Sequence, residues 1–330
     1  MDLSRTIRLS TIGLGNVADY HLEALKQQNQ FVLVAACDSD ESKQKKLLEY
    51  SPNTKFFTSY EEMLKTVSID AVLVASSNHT HYEIAKKVLD SGKNLLLEKP
   101  ATSNLAELED LVNRAKMNNL VFVVAFHDSF AKEVRWFLNS YQQQLYKDLG
   151  PITGFECGFY DPYILEGKLQ EKAKSLGSSW LDSGINALSV IANLVESLAV
   201  IEKRHVHIPS YPVGDIQSSV DFAFSIDGKE DSAGRGLIET NWCLGYSRKV
   251  TNLYFAISKH QVILHHSNQQ ALLIDKLMNK TILADFSSSV PRLTDQYVGV
   301  FNDFYSHLIS SSNNLGFAWD IHRLLLAEQS

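Results

Sequence analysis

The sequence predicts an α/β chain in which a doubly wound parallel sheet comes first and a second, α+β domain follows. Three observations carry this. Strand-like and helix-like stretches alternate over residues 1–125. A glycine-rich turn, Gly13-Leu14-Gly15-Asn16-Val17-Ala18, joins the first strand to the first helix. From about Phe126 the alternation gives way to successive strands separated by turn signals, so the second domain is assigned to 126–330 and to a mostly antiparallel sheet with helices on one face.

In order, Ile7 to Ile12 reads as a strand and helix-compatible sequence follows Gly15. Phe31 to Cys37 is an apolar strand closed by Asp38. Glu41 to Glu49 is a polar helix, Phe56-Phe57 a short strand and Tyr60 to Lys65 a short helix. Ala71 to Ala75 is continuously apolar, as a strand covered on both faces must be. Ile84, Ala85, Val88 and Leu89 make a helical stripe within Tyr82 to Asp90, closed by Gly92. Asn94 to Leu97 is a strand, Leu105 to Met117 a helix and Val121 to Ala125 a further strand. In the second domain a helix is expected over Phe130 to Tyr146 and stops at Gly150-Pro151, with a strand over Ile152 to Phe159. Glu166 to Ser179 is polar, a loop or irregular helix, and Asp182 to Val195 is a helix. Strands are expected at Val200–His207, Ser218–Ile226, Gly236–Cys243, Thr251–Ile257 and Gln261–His265, with Asp227-Gly228 as a turn.

Composition narrows the function classes. The chain has 330 residues, 45% hydrophobic and 21% charged, which suits two globular cores. A formal net charge of −7 argues against nucleic acid and anionic membranes as partners. No apolar run approaches the roughly 18–20 residues of a membrane span. Met1 to Arg5 shows no leader pattern, and Cys37, Cys157 and Cys243 are isolated, so a cytoplasmic setting is expected.

The glycine-rich turn has a specific physical use. A dinucleotide pyrophosphate lies against backbone N–H groups at a helix N-terminus, where a side chain would intrude. Gly13 permits the tight turn, Gly15 lets the backbone approach the phosphates, and Ala18 lets the helix pack on its strand. Asp38 ends the second strand, where a carboxylate accepts hydrogen bonds from ribose hydroxyls. It also repels a 2′-phosphate, and Ser39-Asp40 rather than an arginine follows it. NAD is therefore favoured as cofactor, with NADP as the second candidate.

Two further groups could do chemistry. Glu98-Lys99-Pro100 closes a strand at the end where ligands bind, and Pro100 holds Lys99 to an extended backbone. An exposed strand-exit turn would account for Lys99 equally well. Asp182 and Asn186 lie four apart on an expected helix and so share a face, with Gly184 leaving room for a close approach. An N-capping aspartate and a surface asparagine would have the same spacing. His205-Val206-His207 and His265-His266 lack an acid or cysteine at ligand spacing, and no metal site is expected.

Taken in order, the glycine-rich turn, Ser77-Asn78-His79-Thr80-His81, Glu98-Lys99-Pro100 and Asp182-Ser183-Gly184-Ile185-Asn186 resemble the glucose–fructose oxidoreductase / inositol dehydrogenase (Gfo/Idh/MocA) family. The resemblance implies a Rossmann domain and an open-sheet domain used for homodimer or homotetramer contacts. It also implies hydride transfer between NAD(P) and a sugar, polyol or cyclitol. It assigns Gly13, Gly15, Asn16, Val17, Asp38, Ser77, Asn78, His81, Glu98 and Lys99 to the cofactor, leaving His79 to solvent. Lys99, Asp182 and Asn186 match its catalytic positions. Most members carry histidine where this chain has Asn186, which is similar to the aldose 1-dehydrogenase branch. In that branch His127 and Trp242 would line the sugar site, Trp242 by stacking on the ring, and C1 of an aldose would be oxidised to a lactone. A dehydrogenase acting on another polyol or sugar derivative, and a non-catalytic NAD-binding regulator of a sugar pathway, are the alternatives.

Overall fold

The structure, a computed structural model, describes residues 6–327, the side chains of 230–232 excepted. Met1 to Arg5 therefore lies outside the described residues. The first sheet is built from β1 (Ile7–Ile12), β2 (Phe31–Cys37), β3 (Lys55–Phe57), β4 (Ala71–Val74), β5 (Asn94–Glu98) and β6 (Phe122–Ala125). Its order is β3-β2-β1-β4-β5-β6 and every pair is parallel. The connecting helices are α1 (Asn16–Lys26), α2 (Lys43–Tyr50), α3 (Tyr60–Thr66), α4 (His81–Asp90) and α5 (Leu105–Met117). All four residues of β4 are buried, as are Leu95, Leu96 and Leu97 of β5. Ser59 caps α3 and Asn104 caps α5, each side chain accepting a hydrogen bond from a backbone N–H of the first turn. The strand order reverses between β1 and β4, which places a ligand crevice at their carboxyl ends.

The second part opens with α6 (Lys132–Ser140), a π-helical turn over Tyr141–Leu145 and α7 (Tyr146–Leu149), which stops at Gly150 with φ +74°. β7 (Ile152–Tyr160) follows, then a small hairpin of β8 (Ile164–Leu165) and β9 (Lys168–Leu169), and a 3₁₀ turn over Glu171–Leu176. A π-helical turn over Trp180–Gly184 leads into α8 (Ile185–Leu194). The strands β10 (Glu196–Val206), β11 (Gln217–Ile226), β12 (Lys229–Asn241), β13 (Arg248–Phe255), β14 (Gln261–His265), β15 (Gln270–Ile274) and β16 (Lys280–Asp285) complete an eight-stranded sheet. Its order is β10-β11-β12-β7-β13-β14-β15-β16, antiparallel except where β12 meets β7. Burial alternates along β11, the pattern of a sheet with one covered face. The chain ends with α9 (Arg292–Ser310) and α10 (Leu315–Leu326).

The contacts divide the chain into two units. The first runs to His127 and takes in Leu293–His322; the second is Asp128–Arg292 with the chain from Arg323. The expected single boundary at 125/126 does not anticipate this return. Its cause is aromatic packing, because Phe31 of β2 lies against Phe301, Phe304 and Tyr305 of α9. No helix among the described residues is long and apolar enough to cross a membrane.

Candidate functional site

Gly13 and Gly15 are required for different reasons. Gly13 has φ +96°, and a Cβ there would lie 2.5 Å from the carbonyl oxygen of Ala75 at the end of β4. Gly15 is the N-cap of α1 with ordinary dihedrals, and a Cβ there would meet nothing within 4 Å. The fold itself demands the first glycine; the second borders open space at an uncapped helix N-terminus, where an anion is stabilised. Asn16 is exposed and Val17 half-buried in the first helical turn. Ala18 is buried with Leu14, Leu22, Ala36 and Leu47, the close helix–strand packing expected of it.

Asp38 is held from both sides. Its Oδ2 accepts from the N–H of Leu14 at 2.7 Å and its Oδ1 from that of Asp40 at 3.0 Å. The carboxylate therefore stands fixed beside the glycine-rich turn, with lone pairs left for hydroxyl donors. The residues present fit a dinucleotide: a cradle that a side chain would fill, and an acceptor at the adjoining strand end.

On the next strands Ser77 and His79 are exposed and Asn78 begins a short 3₁₀ turn. His81 differs from expectation. It is fully buried, with Nδ1 2.7 Å from the Pro100 carbonyl oxygen and Nε2 3.1 Å from that of Ser76. Burial lowers its pKa, against those two contacts, which raise it. Both ring nitrogens are committed to the backbone, so His81 ties the loop after β4 to the one after β5 and has none left for a ligand.

Glu98 is corrected in the same way. It is buried, its Oε1 lies 2.7 Å from His21 Nε2, and its Oε2 accepts from the N–H of Lys99 at 3.1 Å. Burial alone would raise its pKa, but the His21 hydrogen bond and the charges of His21, His127 and Lys99 outweigh this and hold it down at about 2. The carboxylate thus anchors the start of the Lys99–Pro100 turn, whose peptide bond is cis, and is not offered to a cofactor. Lys99 itself is half-buried at the exit of β5. His127 is buried, with Nδ1 3.0 Å from Gln296 Oε1, and its ring lies 5.2 Å from that of Tyr297. Tyr297 also packs on His21 at 4.0 Å. This cluster beside Glu98 was not legible from the sequence, because His21 and Tyr297 sit in no recognisable motif and meet only through the return of α9.

In the second unit Asp182 sits in the π-helical turn rather than on the expected α-helix. Such turns are rare and concentrate at functional sites. Asp182 and Asn186 are 7% and 4% exposed, and Asn186 Oδ1 is buried with no hydrogen-bond partner. A buried amide oxygen left unpaired is costly, and a ligand hydroxyl would satisfy it. Gly184 makes room for the protein itself, since a Cβ there would lie 2.4 Å from the ring of Trp180. Trp242 is a third correction. It is 0% exposed, packed with Ile164, Ala173, Val213 and Ile216, and its Nε1 donates to Ser183 Oγ at 3.3 Å. With Tyr163 against it edge-on at 5.1 Å, it has no face to stack on a sugar. Among the described residues no group of three or more His, Cys, Asp or Glu could hold a metal ion.

Comparison with known proteins agrees with this geometry. Residues 7–126 match a family model described as an oxidoreductase family with an NAD-binding Rossmann fold. Myo-inositol 2-dehydrogenase of Thermotoga maritima is 28% identical over 129 residues, 39% of each chain. D-glucoside 3-dehydrogenase of Escherichia coli is 32% identical over 133 residues, 40% of this chain and 38% of that one. The matched segment thus spans well under half the length of these relatives. A solved dehydrogenase from Clostridium difficile shares the fold with a TM-score of 0.77 and 18% identity, over 97% of this chain and 98% of that one.

Proposed function

We propose that this chain, whose residues 7–126 match the NAD-binding oxidoreductase family model, is a member of the Gfo/Idh/MocA family and moves a hydride between a nicotinamide dinucleotide and an alcohol carbon of a sugar, polyol or cyclitol. The observation that carries the proposal is the open space over Gly15 beside the locked Asp38 carboxylate, which leaves room for a pyrophosphate and an acceptor for the ribose. The two relatives are named for dehydrogenation of an inositol and a glucoside, which are ring alcohols. When bound, the nicotinamide supplies the hydride acceptor.

The chain's own residues then have distinct tasks. Lys99 donates a hydrogen bond to the reacting hydroxyl and positions it. Asp182 takes the hydroxyl proton as the carbon bearing that hydroxyl gives up its hydrogen as hydride and its C–O bond becomes C=O, and Asn186 Oδ1 orients a neighbouring hydroxyl. An amide cannot serve as a base, so the site lacks the histidine that would deprotonate an ordinary alcohol. An anomeric hydroxyl is more acidic, and this favours oxidation of an aldose at C1 to a lactone. Asp38 favours NAD over NADP.

A panel of aldoses and cyclitols with each cofactor, followed by nicotinamide absorbance, tests this. Aldose-dependent NADH formation is expected, with Asp182→Ala and Lys99→Ala each lowering turnover about 10²–10⁴-fold. Near-parental turnover in both variants removes the assigned roles, and a clear NADP preference removes the role of Asp38.

A further inference from the structure

The second unit buries a lysine that none of the roles above explains. Lys249, on β13, lies on the same face as Thr251 and Leu253, which are fully buried, and is itself 6% exposed. Its ammonium sits 5.2 Å from the centre of the Phe159 ring and 3.5 Å from Asp161 Oδ2. Among the described residues Asp161 is its polar partner. An ammonium carries three N–H donors, and one carboxylate oxygen at that distance satisfies them poorly. Burying such a charge costs several kcal/mol unless its hydrogen bonds are completed.

Asp161 follows directly on β7 and is 9% exposed. Its Oδ2 accepts from Ser183 Oγ at 2.8 Å, and Ser183 Oγ in turn accepts from Trp242 Nε1 at 3.3 Å. The pair is thereby tied to the π-helical turn one residue from Asp182, just ahead of α8, where Asn186 Oδ1 is unpartnered. A pair serving structure alone gains little here, because two apolar residues of similar volume would fill the same space at no desolvation cost.

We propose that Asp161 and Lys249 form a hydroxyl-recognition pair that sets which stereoisomer of a ring polyol is presented to Asp182. The carboxylate accepts from one ring hydroxyl and the ammonium donates to its neighbour, so the pair reads two adjacent hydroxyls in one relative orientation. A substrate epimeric at either carbon leaves one buried charge uncompleted, and sites built on buried polar groups reject such analogues strongly. The proposal rests on the hydride-transfer function above, of which it names the substrate-selecting residues.

The test uses the full chain saturated with NAD and a panel of aldoses and cyclitols that differ at single hydroxyls. Binding is measured by calorimetric titration and turnover by nicotinamide absorbance, for the parent, Lys249→Met and Asp161→Asn. The methionine keeps the apolar stem, and the asparagine keeps an acceptor for Ser183. The parent is expected to prefer one epimer by about tenfold or more, and both variants to lose that preference. Their KM for the preferred sugar should rise about tenfold while kcat changes little and NAD affinity is retained. Unchanged epimer preference in both variants overturns the proposal, as does a fall in kcat at constant KM, which would make the pair a support for the Asp182 turn. A parent that binds no member of the panel overturns it too. Binding without NADH formation defeats the hydride-transfer function alone, and the recognition pair is then judged on the titrations.

Discussion

Two glycines two places apart answer to different constraints, and substitution separates them. Gly13 is fixed by a left-handed backbone and by the Ala75 carbonyl 2.5 Å from where its Cβ would be. Gly15 has allowed dihedrals and nothing within 4 Å. Gly15→Val is therefore expected to lower stability by only about 1 kcal/mol, the preference for glycine over valine at a helix N-cap, while weakening NAD binding about tenfold or more. Thermal unfolding and calorimetric titration of NAD check the two halves, and a variant that binds NAD normally would show that nothing docks over the turn. The sequence spacing revealed both glycines but could not distinguish their roles, because the second contact of Gly13 is with a strand far along the chain. Trp242 and Gly184 were misread for the same reason. The family resemblance implies a sugar contact for Trp242 and a glycine on a helix leaves room for a ligand, and only the tertiary partners, Tyr163 for one and Trp180 for the other, show them to be internal packing.

At the level of elements, the buried His21–Glu98 pair couples α1 to β5, and so links the cofactor turn to the strand that delivers Lys99. Glu98 has its carboxyl pKa lowered from 4.5 to about 2. The stability this contributes is complete above about pH 4.5 and is lost as pH falls through the folded value. Between about pH 5 and pH 3 the pair should therefore lose about 2 kcal/mol. In Glu98→Gln that acid-dependent loss should be absent, and at neutral pH the variant should be less stable by about 3–5 kcal/mol, since His21 loses its buried partner. Denaturant midpoints recorded across this pH range, with loss of NAD binding as the probe for the first domain, decide it; parallel profiles for parent and variant would show that the pair carries no linkage. The strands and helices of this unit were legible, because continuous apolar runs such as Ala71–Ala75 and stripes such as Ile84–Leu89 mark parallel strands and covering helices. β15 and β16 were not, being short strands that follow directly on a hairpin, and the π-helical turns were not, because they share composition with the α-helices beside them.

For the molecule as a whole, the first unit is completed by the end of the chain. Phe301 and Phe304 are fully buried, and both pack on Phe31. Asn314 acts on the edge strand β6 as a further strand would, its Oδ1 accepting from the N–H of Val124 at 2.9 Å and its Nδ2 donating to the Val124 carbonyl at 2.8 Å. His322 Nε2 accepts from the N–H of Ala101 at 2.9 Å. Residues 190 or more positions apart make these contacts, so no local pattern could announce them. Their weight is considerable: three aromatic side chains at about 1.5–3 kcal/mol each already approach the 5–15 kcal/mol by which a whole domain is stable. A chain ending at His127 should therefore fail to fold despite containing all six strands of its sheet, whereas residues 1–127 joined by a flexible linker to 293–322 should fold and bind NAD. Far-ultraviolet dichroism, dye binding to exposed apolar surface and NAD titration distinguish the outcomes. A cooperative unfolding transition and NAD binding in the shorter chain would show that α9 and α10 decorate the first unit and do not complete it.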